Sequence, residues 1–233
     1  MEWVWRFTVF AVLTILTQLG GLAYAAGLAL RRPWLGGFGA YLALSLAATQ
    51  VAPAMGRVPL PCFSGETRVL LVLCAMNRHY ATPEAAAVTA DLGKAVPGTV
   101  VLDAGFPFID GFPLLPHLSH DDGRKVDTAL YYDGSPPSPL GYFAFEPGPT
   151  DCPDGLWPTM RWDMEWFQPL WPERTLDGAR LAAAAQFLAN DPRVEKLFLE
   201  PHLQARLGLS HPKIRFQGCR AARHDDHIHF QVF

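Results

Sequence analysis

The segment Arg223–Phe233, RHDDHIHFQVF, places His224, His227 and His229 beside Asp225 and Asp226. Imidazole and carboxylate are the donors that hold a divalent metal ion and move protons around it, so the cluster points to metal chemistry. A mononuclear hydrolytic centre needs three protein ligands and a fourth position left for water. Further donors must therefore come from elsewhere in the chain. The best source is SHDDGRKVDTALYY, Ser119–Tyr132, where His120 and Asp127 flank an Asp122-Gly123 pair.

The elements around these residues have to aim them. As a strand, DHIHFQVF turns Ile228, Phe230 and Val232 to one face and His227 and His229 to the other. Residues two apart on one face lie roughly 6.6–6.8 Å apart along the backbone, so one imidazole can ligate a metal while the other stands over its water. His224 lies an odd number of residues before His227, and an unbroken strand would turn it away; a bulge or turn at Asp225 and Asp226 is required to bring it back. The Asp-Gly pair is a strong turn signal that folds His120 toward Asp127. Asp127 then opens an alternating segment in which Asp127, Ala129 and Tyr131 share the face that would line the site.

The order His, six residues, Asp, and later His-x-His near the C-terminal end resembles the lysostaphin, D-Ala-D-Ala peptidase and hedgehog group of zinc peptidases. The fuller SHDDGRKVD with HDDHIH is most similar to the penicillin-insensitive murein endopeptidases, over roughly residues 67–233. That resemblance implies Zn²⁺ held by His120, Asp127 and His229, with His227 as general base or transition-state stabiliser and His224 as a further catalytic histidine. It also implies hydrolysis of peptide cross-links in a peptidoglycan substrate. Two neutral imidazoles and one carboxylate would leave the zinc site with charge +1, enough to bring the pKa of a water to about 7. Asp225, Asp226 and Asp121 can orient an imidazole through its other nitrogen and read equally well as solvated turn carboxylates. Readings that stay open are a D-Ala-D-Ala carboxypeptidase or dipeptidase on the same fold, a cell-wall binding module with a structural metal, and a non-haem iron centre, which also uses two histidines and a carboxylate.

Half of the 233 residues are hydrophobic, and the net charge of −3 with dispersed basic residues excludes a nucleic-acid binder. Two charge-free stretches, Phe7–Leu30 and Pro33–Gly56, each exceed the ~20 apolar residues that cross a bilayer. Arg31 and Arg32 between them favour the cytoplasmic side, which would put both outer ends, and everything after about Arg57, in the periplasm. The rival readings are a signal peptide ending at Ala23–Ala25 and a pair of buried helices; Glu2 and the second apolar span oppose the first, and the absence of a polar stripe opposes the second. The expected organisation is a transmembrane hairpin at residues 1–57 and a peptidase domain at residues 58–233, anchored in the cytoplasmic membrane. Gly56–Glu66, rich in Pro and Gly, reads as the linker between them.

Beyond the linker, strands are expected at TRVLLVLCAM, GTVVLDAGFPFI, RVEKLFLE and the closing segment, and helices after Thr82 and near Asp177. Their irregular alternation gives an α+β fold, a small antiparallel sheet with flanking helices that carries the zinc cleft. Cys62, Cys74, Cys152 and Cys219 allow up to two disulfides in three pairings, and Cys74 reads equally as a buried inert thiol. His79, His117, His202 and His211 are isolated and read as structural or surface residues. The Pro-, Gly- and aromatic-rich stretch 133–172 is a long insertion, and its Trp157, Trp162, Trp166, Phe167 and Trp171 are expected to pack it onto its own domain. No protein partner can be named from the sequence.

Overall fold

The computed structural model describes residues 1–63, 65–161 and 164–233. It is α+β, but the N-terminal region is three helices rather than a two-helix hairpin: α1 (Glu2–Thr17), α2 (Gly20–Ala29) and α3 (Pro33–Val51). The first apolar stretch breaks at Gln18, whose φ is 62°, followed by Leu19 and the Gly20-Gly21 pair. Thr14 and Thr17 hydroxyls bond back to the carbonyls of Phe10 and Leu13, and the Gln18 side chain leaves the helix to accept from the Phe108 N–H at 3.1 Å. Two glycines and a competing polar side chain cannot sustain one continuous helix there. Only Pro33–Met55, which is α3 plus a 3₁₀ turn at Ala52–Met55, is long and apolar enough to cross a membrane among the described residues. α2 and α3 approach closely at Gly27, where a Cβ would fall 2.5 Å from the Gly37 nitrogen.

The rest of the chain contributes β1 (Val58–Pro59), β2 (Thr67–Val69), α4 (Leu71–Ala75), β3 (Tyr80–Ala81), α5 (Pro83–Ala95), β4 (Thr99–Val101), β5 (Lys125–Ala129), α6 (Gly178–Asn190), β6 (Val194–Phe198), α7 (Pro201–Arg206), β7 (Ile214–Arg215) and β8 (His227–Val232). β1 and β3 form a small antiparallel pair, while the sheet that carries the site is six-stranded and mixed, in the order β2-β4-β5-β8-β6-β7. Its central pairs are antiparallel and its two outer pairs, β2 with β4 and β6 with β7, are parallel. The expected strand at Thr67–Met76 is only three residues long and gives way to α4.

Ile228, Phe230 and Val232 enter one core with Val126, Val88 and Leu92 of α5, and Leu181 and Leu188 of α6. The pleat therefore leaves His227 and His229 on the opposite face, as alternation requires. Thr82 caps α5 by accepting from the Ala85 N–H, and Asp177 caps α6 by accepting from the Arg180 N–H. Tyr131 departs from the site-lining face expected of it: it packs under Arg180 and its hydroxyl pairs with Thr99.

The segment expected to be a linker is pinned. It contains β1, its Cys62 is bridged to Cys74, and Arg57 is buried against Gly123 and paired with Asp110. Cys74 is thus a disulfide cysteine rather than an inert thiol. The helices also touch the domain directly. The Tyr41 hydroxyl donates to the Ala75 carbonyl at 2.6 Å, and the Asn77 amide donates to Tyr41 Oη and Ser45 Oγ. Leu19, Ala48, Ala52 and Tyr80 form a second small core at this junction.

Candidate metal centre

β8 runs antiparallel between β5 and β6, so His229 sits opposite Asp127 on one side and Phe198 on the other. The Phe198 ring stacks on that of His229, with centroids 5.4 Å apart. Asp127 Oδ1 lies 2.8 Å from His229 Nδ1 and 3.1 Å from His120 Nε2, and the two imidazole nitrogens are 3.0 Å apart. His120 reaches this point from the turn before β5, where Gly123 adopts φ +68° and a Cβ would collide with Arg57. The His120 Nδ1–H donates to the Ala104 carbonyl at 2.9 Å, which leaves Nε2 as the bare donor.

These three atoms suit a metal ion. A tetrahedral ion with bonds of about 2.0–2.1 Å keeps its ligand atoms roughly 3.3 Å apart, a few tenths of an ångström more than the spacings here. Burial pushes the Asp127 carboxyl up, but His120, His227 and His117 outweigh it and hold it well below the usual range, so it is an anion. Burial lowers His229 to about 4, which keeps its ring neutral.

Asp127 Oδ2 has a separate set of neighbours. It accepts from the Tyr142 hydroxyl at 2.8 Å and faces His117 Nδ1 at 3.2 Å and His227 Nε2 at 3.8 Å. His227 Nδ1 is held by the Asp226 carboxylate, whose other oxygen accepts from the Phe143 N–H at 2.7 Å. Burial lowers the His227 pKa, and Asp127 and Asp226 outweigh that and raise it to about 9. A cation on Asp127 would cancel the larger of those two pulls. His224 comes onto the same side because the chain bends at Asp225 and Asp226 before β8 begins; its ring centroid is 4.8 Å from that of His227. Its Nδ1 is buried with no hydrogen-bond partner.

His120, Asp127 and His229, and likewise His117, Asp127 and His227, are groups that could hold a metal ion. Cys62, Cys74 and His79 also converge, but the two sulfurs are spent in a disulfide. His202 and His211 belong to no such group among the described residues.

Of the three aspartates considered as orienting partners, Asp226 meets a site imidazole. Asp225 pairs with Arg223, and Asp121 lies near the surface beside Lys125. Sequence reasoning missed His117, Asp103 and Tyr142. Asp103 is buried and accepts both Arg78 Nε and Nη2, at 2.6 and 2.7 Å, and it faces His117 Nδ1 at 3.2 Å. The signal for His117 was its spacing three residues before His120; for Asp103, a carboxylate closing an apolar strand. Nothing in the sequence around Tyr142 sets it apart.

The insertion forms a wall of the cleft. The Cys152–Cys219 bridge and a bond from the Met160 N–H to the Arg220 carbonyl tie it to the approach to β8. Arg161 pairs with buried Glu200, which in turn accepts from the His224 N–H. Phe143, Phe167 and Trp171 pack among themselves and Trp166, though exposed on its outer side, stacks on Phe167, whereas Trp157 is exposed and departs from the expected packing; Trp162 lies outside the described residues. Two adjoining recesses share His117, His227 and Met160 in their lining; one reaches Leu118 and Gln217, and the smaller reaches Phe143 and Phe145.

No family model matches the chain, and no curated protein matches it either.

Proposed function

We propose that this protein is a zinc peptidase of the murein endopeptidase type, cleaving peptide cross-links of peptidoglycan. The observation that carries the reading is the convergence of His120 Nε2, Asp127 Oδ1 and His229 Nδ1 beside a second imidazole, His227, that is oriented by Asp226. Zn²⁺ held by those three atoms would supply Lewis acidity, lowering the pKa of a water and polarising the scissile carbonyl. His227, with Nδ1–H given to Asp226, presents Nε2 to accept a proton from water and return it to the leaving amine. His224, buried beside it, adds a second ring to the floor of the cleft. The three-ligand set favours a catalytic over a closed structural site. The third histidine, His224, that the resemblance to the murein endopeptidases implies favours an endopeptidase over a carboxypeptidase.

In this reading α3 anchors the domain in the cytoplasmic membrane, with the cleft in the periplasm. Trp34, Leu35, Phe38 and Leu46 on α3 are all more than 60% exposed, as lipid-facing residues would be. Two disulfides accord with an oxidising compartment, and Arg31 with Arg32 accords with a cytoplasmic loop.

The test is digestion of purified sacculi by the full-length protein in detergent micelles. Conversion of cross-linked dimers to monomers is expected, abolished by chelator, restored by Zn²⁺ and lost in His227→Ala. Undiminished cleavage after chelation, or in Asp127→Ala, would refute it.

A further inference from the structure

We infer that the centre has a second divalent-cation position, formed by His117 Nδ1, Asp127 Oδ2 and His227 Nε2, and that an ion there suppresses hydrolysis. The suppression rests on the peptidase reading above; the binding position does not.

The two oxygens of Asp127 are not equivalent halves of one ligand. Oδ1 faces His120 and His229, and Oδ2 faces His117 and His227, so each oxygen has its own pair of imidazoles. The second set is near the spacing of a metal site and slightly wider: 3.2 Å from Oδ2 to His117 Nδ1 and 3.8 Å to His227 Nε2, against the roughly 3.3 Å expected around a tetrahedral ion. His117, Asp127 and His227 each offer a ligand atom within 4.8 Å of the others.

Two further observations favour a cation over a plain hydrogen-bond network. His227 donates through Nδ1 to Asp226, and a carboxylate behind an imidazole is the arrangement that orients a metal-binding histidine and raises its basicity. Asp103, itself paired with Arg78, lies 3.2 Å from His117 Nδ1 and places a second carboxylate beside this position. His117 also lines both recesses of the cleft, so an ion has a path to it.

A carboxylate that bridges two ions in this way sets them about 3.5–4 Å apart. Their mutual repulsion makes the second ion the weaker one. His227 Nε2 has one lone pair and cannot hold an ion and accept a proton together, so filling the second position removes the base from the water. Excess Zn²⁺ then acts as an inhibitor at the same carboxylate that holds the first ion.

The test is metal titration of the full-length protein in micelles, with Zn²⁺ measured by equilibrium dialysis and elemental analysis. Two equivalents are expected at saturation, the second bound at least about tenfold more weakly. His117→Ala should retain the first equivalent and lose the second. In the wild type, loading with Co²⁺ should give a spin-coupled pair at two equivalents, a readout that does not depend on the variant folding. Sacculus hydrolysis by the wild type should peak at one equivalent of Zn²⁺ and fall as the second fills. Saturation at one equivalent, an undiminished second equivalent in His117→Ala, or two uncoupled Co²⁺ ions would overturn the second position. Hydrolysis that rises with the second equivalent would overturn the suppression. Two coupled ions with no hydrolysis at any loading would leave the position standing and remove the peptidase reading together with the suppression.

Discussion

Asp127 and His229 are direct cross-strand partners on β5 and β8, with Oδ1 and Nδ1 2.8 Å apart. The ladder, rather than a loop, fixes the core of the donor set, and the sheet is held by the shared core of Ile228, Phe230 and Val126. Asp127→Asn retains the shape of the side chain and removes the charge. Its metal affinity should fall at least as far as the about 100-fold that loss of an outer partner brings. Competition with a calibrated chelator measures this, and an affinity unchanged from wild type would show that Asp127 is not a ligand.

Tyr142 acts as a positioning residue for that carboxylate. Burial, then Asp103 and Asp127, raise its pKa well above 10, so it remains a phenol and a donor to Oδ2. Tyr142→Phe should weaken metal binding about 10- to 100-fold, in the range seen for outer-shell partners. The melting temperature of the metal-free protein should change little by comparison. A large loss of stability with metal affinity intact would mean the hydroxyl only fills the core.

The Cys152–Cys219 bridge closes a segment of 67 residues. In the chain-entropy account such a loop contributes about 4 kcal/mol to stability. The double variant Cys152→Ser, Cys219→Ser should melt at lower temperature and bind the first Zn²⁺ normally, because His120, Asp127 and His229 lie outside the loop's wall. Sacculus hydrolysis should drop, since Met160 and the approach to β8 lose their tether. Calorimetry with elemental analysis separates the two effects.

His79 supplies a pH prediction away from the metal. Burial lowers its pKa from 6.5 to about 4, and its Nδ1 has no hydrogen-bond partner. Below pH 6.5 the unfolded chain takes up a proton that the folded chain refuses until about pH 4. The stability present above pH 6.5 is therefore lost progressively as pH falls across that window, by on the order of 3 kcal/mol. His79→Phe should flatten the acid limb of a denaturation profile between those values, and an identical slope in wild type and variant would contradict it.

What the sequence made legible was local. Period-two alternation put His227 and His229 on one face, parity demanded a break before them, and the chain does bend at Asp225 and Asp226. The Asp122-Gly123 signal marked the turn that carries His120. Contributions from distant segments were not legible: Tyr142 arrives from the insertion, Asp103 from the segment just after β4, and His117 is isolated in sequence and meets its partner only at Oδ2 of Asp127. The first apolar stretch misled for a related reason. Hydropathy counts residues, but the Gln18 side chain is drawn out to Phe108, 90 positions away, and the helix ends there.

The anchoring of residues 56–66 has a mechanical meaning. Eleven unpinned residues would let the domain wander by roughly 18 Å. Instead Cys62 is bridged to Cys74, Arg57 is locked under Gly123, and Asn77 grips Tyr41 and Ser45 on α3. The cleft is therefore held at a fixed offset from α3 and cannot sweep a volume in search of substrate. On the reading proposed above, substrate would have to come to it, within one rigid domain's reach of the anchoring helix.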